Sequence, residues 1–204
     1  MITFVIIRHG YSLFNKEHRC TGQMDVPLDE IGILQAKKTA KYILENFKID
    51  AIYSSNLSRA INTARPIAEV LHLPINLEMD LREINAGDWQ GRKMEEIQKD
   101  YPEEFIKWMS SLDDEDFGDK ESRYKLRNRS IKVLERIAAE NEGKTVLIAT
   151  HYGVIKCIQQ VWMPEAEQKQ KIFRVSNASV SVIQYNKATK KAKFIVKGYD
   201  EHLK

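Results

Sequence analysis

The sequence is sparing with the features that settle a protein's class at once. It has two cysteines, Cys20 and Cys157, which form no short-spaced pair. That argues against a disulfide framework and a zinc knuckle, and suits two free thiols in a reducing compartment, so a cytoplasmic protein is expected. No apolar run approaches the roughly 20 residues needed to cross a bilayer. The opening Met1-Ile2-Thr3-Phe4 lacks the positive region and cleavage site of a secretory leader. Charge of one sign is lacking too. Lys and Arg number 32 against 29 Asp and Glu, a formal net charge of +3, and no basic stripe is interleaved with aromatics. Nucleic acid is therefore not an expected partner. Internal repeats, low-complexity tracts, flexible linkers and a Walker-type glycine loop are absent. What remains is a 204-residue chain, 43% hydrophobic, of a length that suits one domain with an inserted subdomain.

Two short stretches organise the rest. Phe4-Val5-Ile6-Ile7 reads as a strand buried on both faces, and such a strand lies in the middle of a sheet. It delivers Arg8 and His9 at its carboxyl end, followed by Gly10, which permits a sharp turn. Ligands of open α/β sheets bind at that end of the strands. On its own the triplet also reads as an ordinary strand end with a surface Arg and a satisfied His. Thr145-Val146-Leu147-Ile148-Ala149-Thr150 repeats the layout, delivering His151, then Tyr152-Gly153 and an apolar helix over Val154 to Val161. Two histidines placed alike at strand ends point to one shared site.

Between them, Tyr11 to Gln23 reads as a polar loop. Asp29 is the expected N-cap of a helix whose apolar face holds Ala36, Ala40, Ile43, Leu44 and Phe47. A short strand at Asp50 to Ser55 leads into a helix from Leu57-Ser58-Arg59 to about Leu71. Arg59 in the first turn opposes the helix dipole, and a bound anion would account for it. Ile75 to Met79 is a strand, running into Arg82-Glu83 and a shaped loop at Gly87-Asp88-Trp89-Gln90-Gly91. From Met94 onward short helices are broken at Pro102. The acidic Asp113-Asp114-Glu115-Asp116 reads as a solvated loop without a calcium-binding pattern. A long helix from about Glu121 ends at Gly143. Ala178 to Tyr185 and Ala192 to Val196 are the last two strands, the lysines of the latter suiting a sheet edge.

The polar residues at strand ends are Arg8, His9, Arg59, Glu83 and His151. Two guanidiniums and imidazole groups make an anion pocket, and Arg matches phosphate geometry bidentately. With no carboxylate cluster for magnesium, a phosphoryl site here needs no metal and no cofactor. A neutral imidazole with one nitrogen held by an acceptor has its other lone pair free to attack phosphorus. Arg8, Arg59 and His151 would stabilise the transition-state charge, and Glu83 would protonate the departing alkoxide.

These residues carry a resemblance. The ordered set Arg8-His9-Gly10 with Asn15, Thr21-Gly22-Gln23, Tyr53-Ser54-Ser55 with Leu57-Ser58-Arg59-Ala60 and Thr63-Ala64, Leu81-Arg82-Glu83 with Trp89-Gln90-Gly91, Thr150-His151 with Gly153, and Asn177-Ala178-Ser179 resembles the histidine phosphatase superfamily, phosphoglycerate mutase-like branch. Around Leu81 to Arg92 it is similar to short phosphatases of the α-ribazole phosphatase type. The resemblance implies a three-layer α/β/α sandwich over residues 1–204, with 88–119 as a small helical cap within it. It implies His9 as the phosphorylated nucleophile, Glu83 as proton donor, and Arg8, Arg59 and His151 as the phosphate-binding core. Asn15, Thr21, Gly22, Gln23, Arg82 and Tyr152 would complete the binding of a small-molecule phosphate ester. Tyr11, Tyr152 and Lys120 depart from the family pattern, and all three are expected near the pocket mouth. Phosphate-ester hydrolysis is the first reading. A phosphoglycerate mutase-type transfer is the second, because the acidic region between Glu83 and His151 would repel a second phosphate. A binding module without catalysis is the third, and a histidine-ligated metal enzyme is disfavoured by the absence of ligand spacing at His18, His72 and His202.

Overall fold

The computed structural model describes residues 1–111, 113–164 and 173–204. Leu112, inside the expected 88–119 insertion, lies outside the described residues. The sheet has six strands in the order β3-β2-β4-β1-β5-β6, namely β1 (Ile2–Arg8), β2 (Ala51–Ser55), β3 (Ile75–Glu78), β4 (Thr145–Thr150), β5 (Val180–Asn186) and β6 (Lys191–Tyr199). β1 pairs parallel with β4 and antiparallel with β5. The lysine-bearing β6 is an edge, as its composition requires.

The apolar run of β1 sits between two helical layers. Phe4 and Ile6 face α6 (Arg123–Glu140) and α7 (Tyr152–Trp162), in one core with Val146, Ile148, Leu134 and Trp162. Val5 and Ile7 face α2 (Glu30–Asn46) and α3 (Ser58–Leu71), in a second core with Leu147, Ile43 and Ile67. Successive strand side chains alternate faces, so a run apolar at every position needs cover on both sides. All four β1 residues are fully buried. At roughly 1.5–3 kcal/mol for each large side chain, this strand contributes heavily to the core. The fold is thus a three-layer α/β/α sandwich. No described helix is long and apolar enough to cross a membrane.

The helix boundaries follow local chemistry. Asp29 caps α2, its side chain accepting from the Gly32 amide at 2.8 Å. Pro102 opens α5 (Pro102–Ser110) directly after α4 (Met94–Asp100). The expected loop from Tyr11 to Gln23 contains a one-turn helix, α1 (Leu13–Lys16), closed by a capping box between Ser12 and Asn15.

A small separate core forms between Ala86 and Phe117. Trp89 meets Trp108 edge-on at 5.5 Å, with Ala86, Ile97 and Phe117 packed around them. Lys120 belongs here and does not line the cavity beside Glu83. Its ammonium lies 4.8 Å from the Trp89 ring and pairs with Asp88, Asp119 and Glu104, leaving its side chain 8% exposed. Three carboxylates and an indole face hold that cation more strongly than open solvent at a rim would.

The start of α2 presses on the loop after β1. A Cβ at Gly32 would overlap the Tyr11 carbonyl oxygen, and one at Gly10 would come 2.7 Å from the Gly32 carbonyl oxygen. The two glycines let backbone meet backbone where β1 hands the chain to the loop. Gly32→Ala is expected to destabilise the protein by about 1–3 kcal/mol, the usual range for overpacking against atoms that cannot yield. Chemical denaturation measures it, and unchanged stability would contradict the contact.

Candidate active site

β1 and β4 are neighbours with Arg8 opposite Thr150, so His9 and His151 leave the sheet side by side. The His9 amide donates to the Thr150 carbonyl at 2.9 Å. The two rings have centroids 5.1 Å apart, with His9 5% and His151 0% exposed. His9 Nδ1 is 2.7 Å from the Gly10 carbonyl oxygen. A carbonyl only accepts, so Nδ1 carries the proton and Nε2 keeps its lone pair. Burial, then the Arg59 and Arg8 charges, hold the His9 pKa well below the ordinary imidazole value. His151 is held low in the same way by burial, Arg59 and His9. Both rings are therefore neutral at neutral pH.

The second ring has its own orienting group. β2 pairs with β4 with Ser54 opposite Ala149, which carries Ser55 to the end of β4. Ser55 Oγ accepts from the Leu57 amide at 3.3 Å and lies 2.8 Å from His151 Nε2. The contact fixes the orientation of the His151 ring. Its Nδ1 is buried and has no protein partner. It is a ring nitrogen left free inside the site.

Both guanidiniums are anchored by carbonyls. Arg59 is fully buried, its Nη1 donating to Met24 O at 2.7 Å and its Nη2 to Gly22 O at 2.8 Å. Arg8 Nη1 donates to Val175 O at 2.8 Å. The Nε of each is buried without a partner. Burial brings the Arg59 pKa down to about 10, which still leaves it charged at neutral pH. Thr63, one turn along α3, donates to Arg59 O at 2.7 Å and accepts from the Gly10 amide at 2.9 Å. One hydroxyl so links the arginine's helix to the loop after His9.

Glu83 reaches the same place from the turn after β3. Both its carboxylate oxygens accept from the Gly153 amide at 3.1 Å, and Oε1 accepts from the Ile84 amide at 2.9 Å. A Cβ at position 153 would overlap Glu83 Oε1, which explains the glycine. The Glu83 carbonyl accepts from Gln23 Nε2 at 3.0 Å and Arg129 Nη2 at 2.8 Å. Arg129 is itself held by Glu121 and donates to the Asp80 and Arg82 carbonyls. Glu83 is among the charges felt by both Arg8 and Arg59.

The five strand-end residues of the sequence reading thus converge. The loop residues divide. Gly22 lends its carbonyl to Arg59, and its φ of +49° suits glycine. Gln23 is committed to Glu83, with its amide donating to Gln90 at 2.6 Å. Thr21 lies in that loop, its carbonyl accepting from Met24 at 3.1 Å. Asn15 Oδ1 accepts from Ser12 and from Asn177 Nδ2, which also donates to His9 O at 3.1 Å. Arg82 is engaged by Asn56, its Nε donating at 2.6 Å. Tyr152 sits between cations, with Arg8 at 5.3 Å and Lys156 at 5.7 Å from its ring. Tyr11 instead donates its hydroxyl to Asn15 O at 3.2 Å. Ser55, Thr63, Gly153 and Asn177 stood in motifs without an assigned role. Arg129 gave no signal at all, being one basic residue among several on α6. Among the described residues no group of three or more His, Cys, Asp or Glu is arranged to hold a metal ion.

Comparison with known proteins identifies the family and the fold. The family model described as histidine phosphatase superfamily, branch 1, matches residues 4–197. Phosphoglycerate mutase-like protein 4 of Arabidopsis thaliana is 36% identical over 182 residues, covering 88% of this chain and 78% of that one. Metal-independent phosphoserine phosphatase of the same plant is 35% identical over 181 residues, covering 88% and 74%. Among solved structures, Bacillus stearothermophilus YhfR superposes over 100% of both chains with a TM-score of 0.89 at 28% identity. Matched nearly from end to end in sequence and fold, the chain belongs to the histidine phosphatase superfamily, branch 1.

Proposed function

We propose that this protein hydrolyses small-molecule phosphate monoesters through a phosphohistidine on His9, with Glu83 as proton donor and without a metal ion. The activity class, phosphomonoesterase, comes with the family. The observation that carries the mechanism is the buried His9 ring, whose Nδ1 proton is held by Gly10 O beside two guanidiniums. Nε2 attacks phosphorus, the P–O ester bond breaks, and Glu83 gives its proton to the alkoxide. Water then attacks the phosphoryl group, returns a proton to Glu83, and the P–N bond breaks to release phosphate. Arg8, Arg59 and His151 meet the equatorial oxygens, and their unpartnered nitrogens are what such oxygens would satisfy. Asn15, Thr21, Gly22, Gln23, Arg82 and Tyr152 line or brace the pocket. In this reading residues 88–119 act as a cap, since Trp108 and Met109 help line a cavity that Glu83 opens into.

Phosphoglycerate mutase-type transfer remains the second reading, favoured by the name of one relative. The same phosphohistidine would then return its phosphoryl group to the bound alcohol. The acidic run does not stand against this in the way its sequence suggests. Glu115 pairs with Lys107, Asp114 meets Ser122, and Asp116 holds the Gly118 amide, so none of the run lines the cavity beside Glu83.

His9→Ala is expected to lower hydrolysis of p-nitrophenyl phosphate by at least about 10³-fold and to abolish an acid-labile phosphoprotein seen by rapid quench. Equal rates in the two proteins would leave only a binding module. With 3-phosphoglycerate, isomerisation outrunning phosphate release would put the mutase reading first. Glu83→Gln is expected to cost about 10²–10⁴-fold on alkyl esters and much less on p-nitrophenyl phosphate, whose leaving group needs no proton. Both buried imidazoles have lowered pKa values, so below about pH 6.5 the unfolded chain binds protons that the folded one refuses. Stability is then present at neutral pH and is lost as pH falls, by at most about 1.4 kcal/mol per unit for each ring. Denaturation of wild type and His151→Gln between pH 7 and 5 measures this, with a shallower fall in the variant.

A further inference from the structure

The segment 175–179 runs beside Arg8 and His9 and serves both. Val175 O anchors the Arg8 guanidinium, and Ser179 O accepts from the Arg8 amide at 3.2 Å. Asn177 Nδ2 donates to His9 O at 3.1 Å and lies 3.3 Å from Gly10 O, the carbonyl that holds the His9 Nδ1 proton. The Ala178 amide is shared between Arg8 O at 3.1 Å and His9 O at 3.2 Å. Ala178 does this from a φ of +58°, in the left-handed region that a residue with a Cβ seldom adopts. Such a backbone persists only where its surroundings hold it.

What holds it comes from two other parts of the chain. Thr39 of α2 is fully buried and donates its hydroxyl to Ala178 O at 3.2 Å. On the other side of Asn177, Ser176 Oγ donates to Asp200 Oδ2 at 2.7 Å. Asp200 opens a short turn after β6, Glu201–Leu203, whose His202 Nε2 lies 2.9 Å from Thr39 Oγ1. A carbonyl only accepts, so the Thr39 hydroxyl makes both contacts by giving its proton to Ala178 and accepting one from Nε2. The His202 ring stacks on Tyr42 at 5.0 Å and on Tyr199 at 5.5 Å. Lys38 ties the turn to α2 by donating to Leu203 O at 2.7 Å. Valine and phenylalanine would fill the places of Thr39 and His202. The hydroxyl and the imidazole add a directed hold on one carbonyl, that of the left-handed residue.

We propose that the turn at 200–203 braces the nucleophile, with Thr39 and His202 as positioning residues that act on His9 through Ala178. The inference rests on the reading of His9 as the phosphorylated group and adds what keeps its ring in line. Slackening Ala178 loosens the His9 and Gly10 carbonyls together, so the ring loses the fixed acceptor for its Nδ1 proton and the aim of Nε2. Arg59 is held from α3 and by the loop carbonyls of Met24 and Gly22, and His151 by Ser55, so neither depends on this segment. Attack on phosphorus is therefore affected more than the binding of phosphate.

The test follows formation of the acid-labile phosphoenzyme by rapid quench with p-nitrophenyl phosphate, together with KM and the inhibition constant of inorganic phosphate. Thr39→Val is expected to slow phosphorylation at saturating ester about tenfold, the scale of a small misplacement of a reacting group, and to change both binding constants less than about threefold. Thr39→Ser, which keeps the hydroxyl, should restore most of the rate. His202→Phe, which keeps the stacking, should slow phosphorylation as Thr39→Val does, and the double variant should be no slower than either, because both act through one carbonyl. If Thr39→Val does not fold, His202→Phe carries the test, with His202→Gln, whose amide can still donate, as its rescue. Phosphorylation unchanged in both variants, a loss of thermal stability alone, a loss confined to the binding constants, or no rescue by Thr39→Ser or His202→Gln overturns the proposal. His9→Ala separates the two levels. If wild type forms a His9-dependent phosphoenzyme that the Thr39 and His202 variants form equally fast, this inference falls alone. If wild type forms none, the phosphohistidine reading falls and takes this one with it.

Discussion

A guanidinium buried without a carboxylate is the constraint from which the rest of the site follows. Arg59 has no exposed surface and is held by the carbonyls of Met24 and Gly22. Taking a guanidinium out of water costs several kcal/mol, and neutral carbonyls return only part of it. The loop from Thr21 to Met24 is folded to aim two carbonyls at one side chain, and the left-handed Gly22 makes that turn accessible. Arg8 repeats the arrangement with the carbonyl of Val175. The site therefore keeps an excess of positive charge, with nitrogens unsatisfied by protein. Two neutral imidazoles are the consequence, because a third or fourth positive charge in that volume is prohibitive.

Placing Glu83 opposite this charge takes a second set of interactions. The carboxylate is fixed by the Gly153 and Ile84 amides, so its position depends on the first turn of α7 as much as on its own segment. Its backbone is clamped by Arg129, which joins the carbonyls of Asp80, Arg82 and Glu83 to the Glu121 carboxylate. Glu121 ends the stretch that carries the small Trp89 core, and its carbonyl accepts from the Trp108 indole at 2.9 Å. Helix α5 and the candidate proton donor are thus joined by one chain of hydrogen bonds. A change in the packing around Trp108 reaches Glu83 through only two side chains, Glu121 and Arg129.

Charge was the property least readable in one dimension. The acidic run and Lys120 lie close in sequence to the segments that build the site, yet the run stays a solvated loop and Lys120 is held against the small core. Arg123 and Lys156, separated by the whole of α6 and β4, come together beside Glu83 instead. The polar stretch after Gly10 hid a one-turn helix, because its capping box joins two residues whose composition reads equally as loop. Ser55 was visible as part of a motif, but its action on His151 depends on which strand lies next to β2.

The linear chain was sufficient for the layered architecture and for the polar groups that gather at the sheet's carboxyl edge. Continuous apolar runs demand cover on both faces, and a strand that ends in Arg-His-Gly presents those groups at the sheet's carboxyl edge whatever its neighbours are. That determination is local, carried by period and by residue chemistry. Tertiary structure alone decided the protonation pattern and the shape of the space beyond Glu83. The neutrality of His9 beside Arg59 and the orientation of His151 by Ser55 both depend on groups brought together from distant segments, within the short range over which hydrogen bonds and poorly screened charges act.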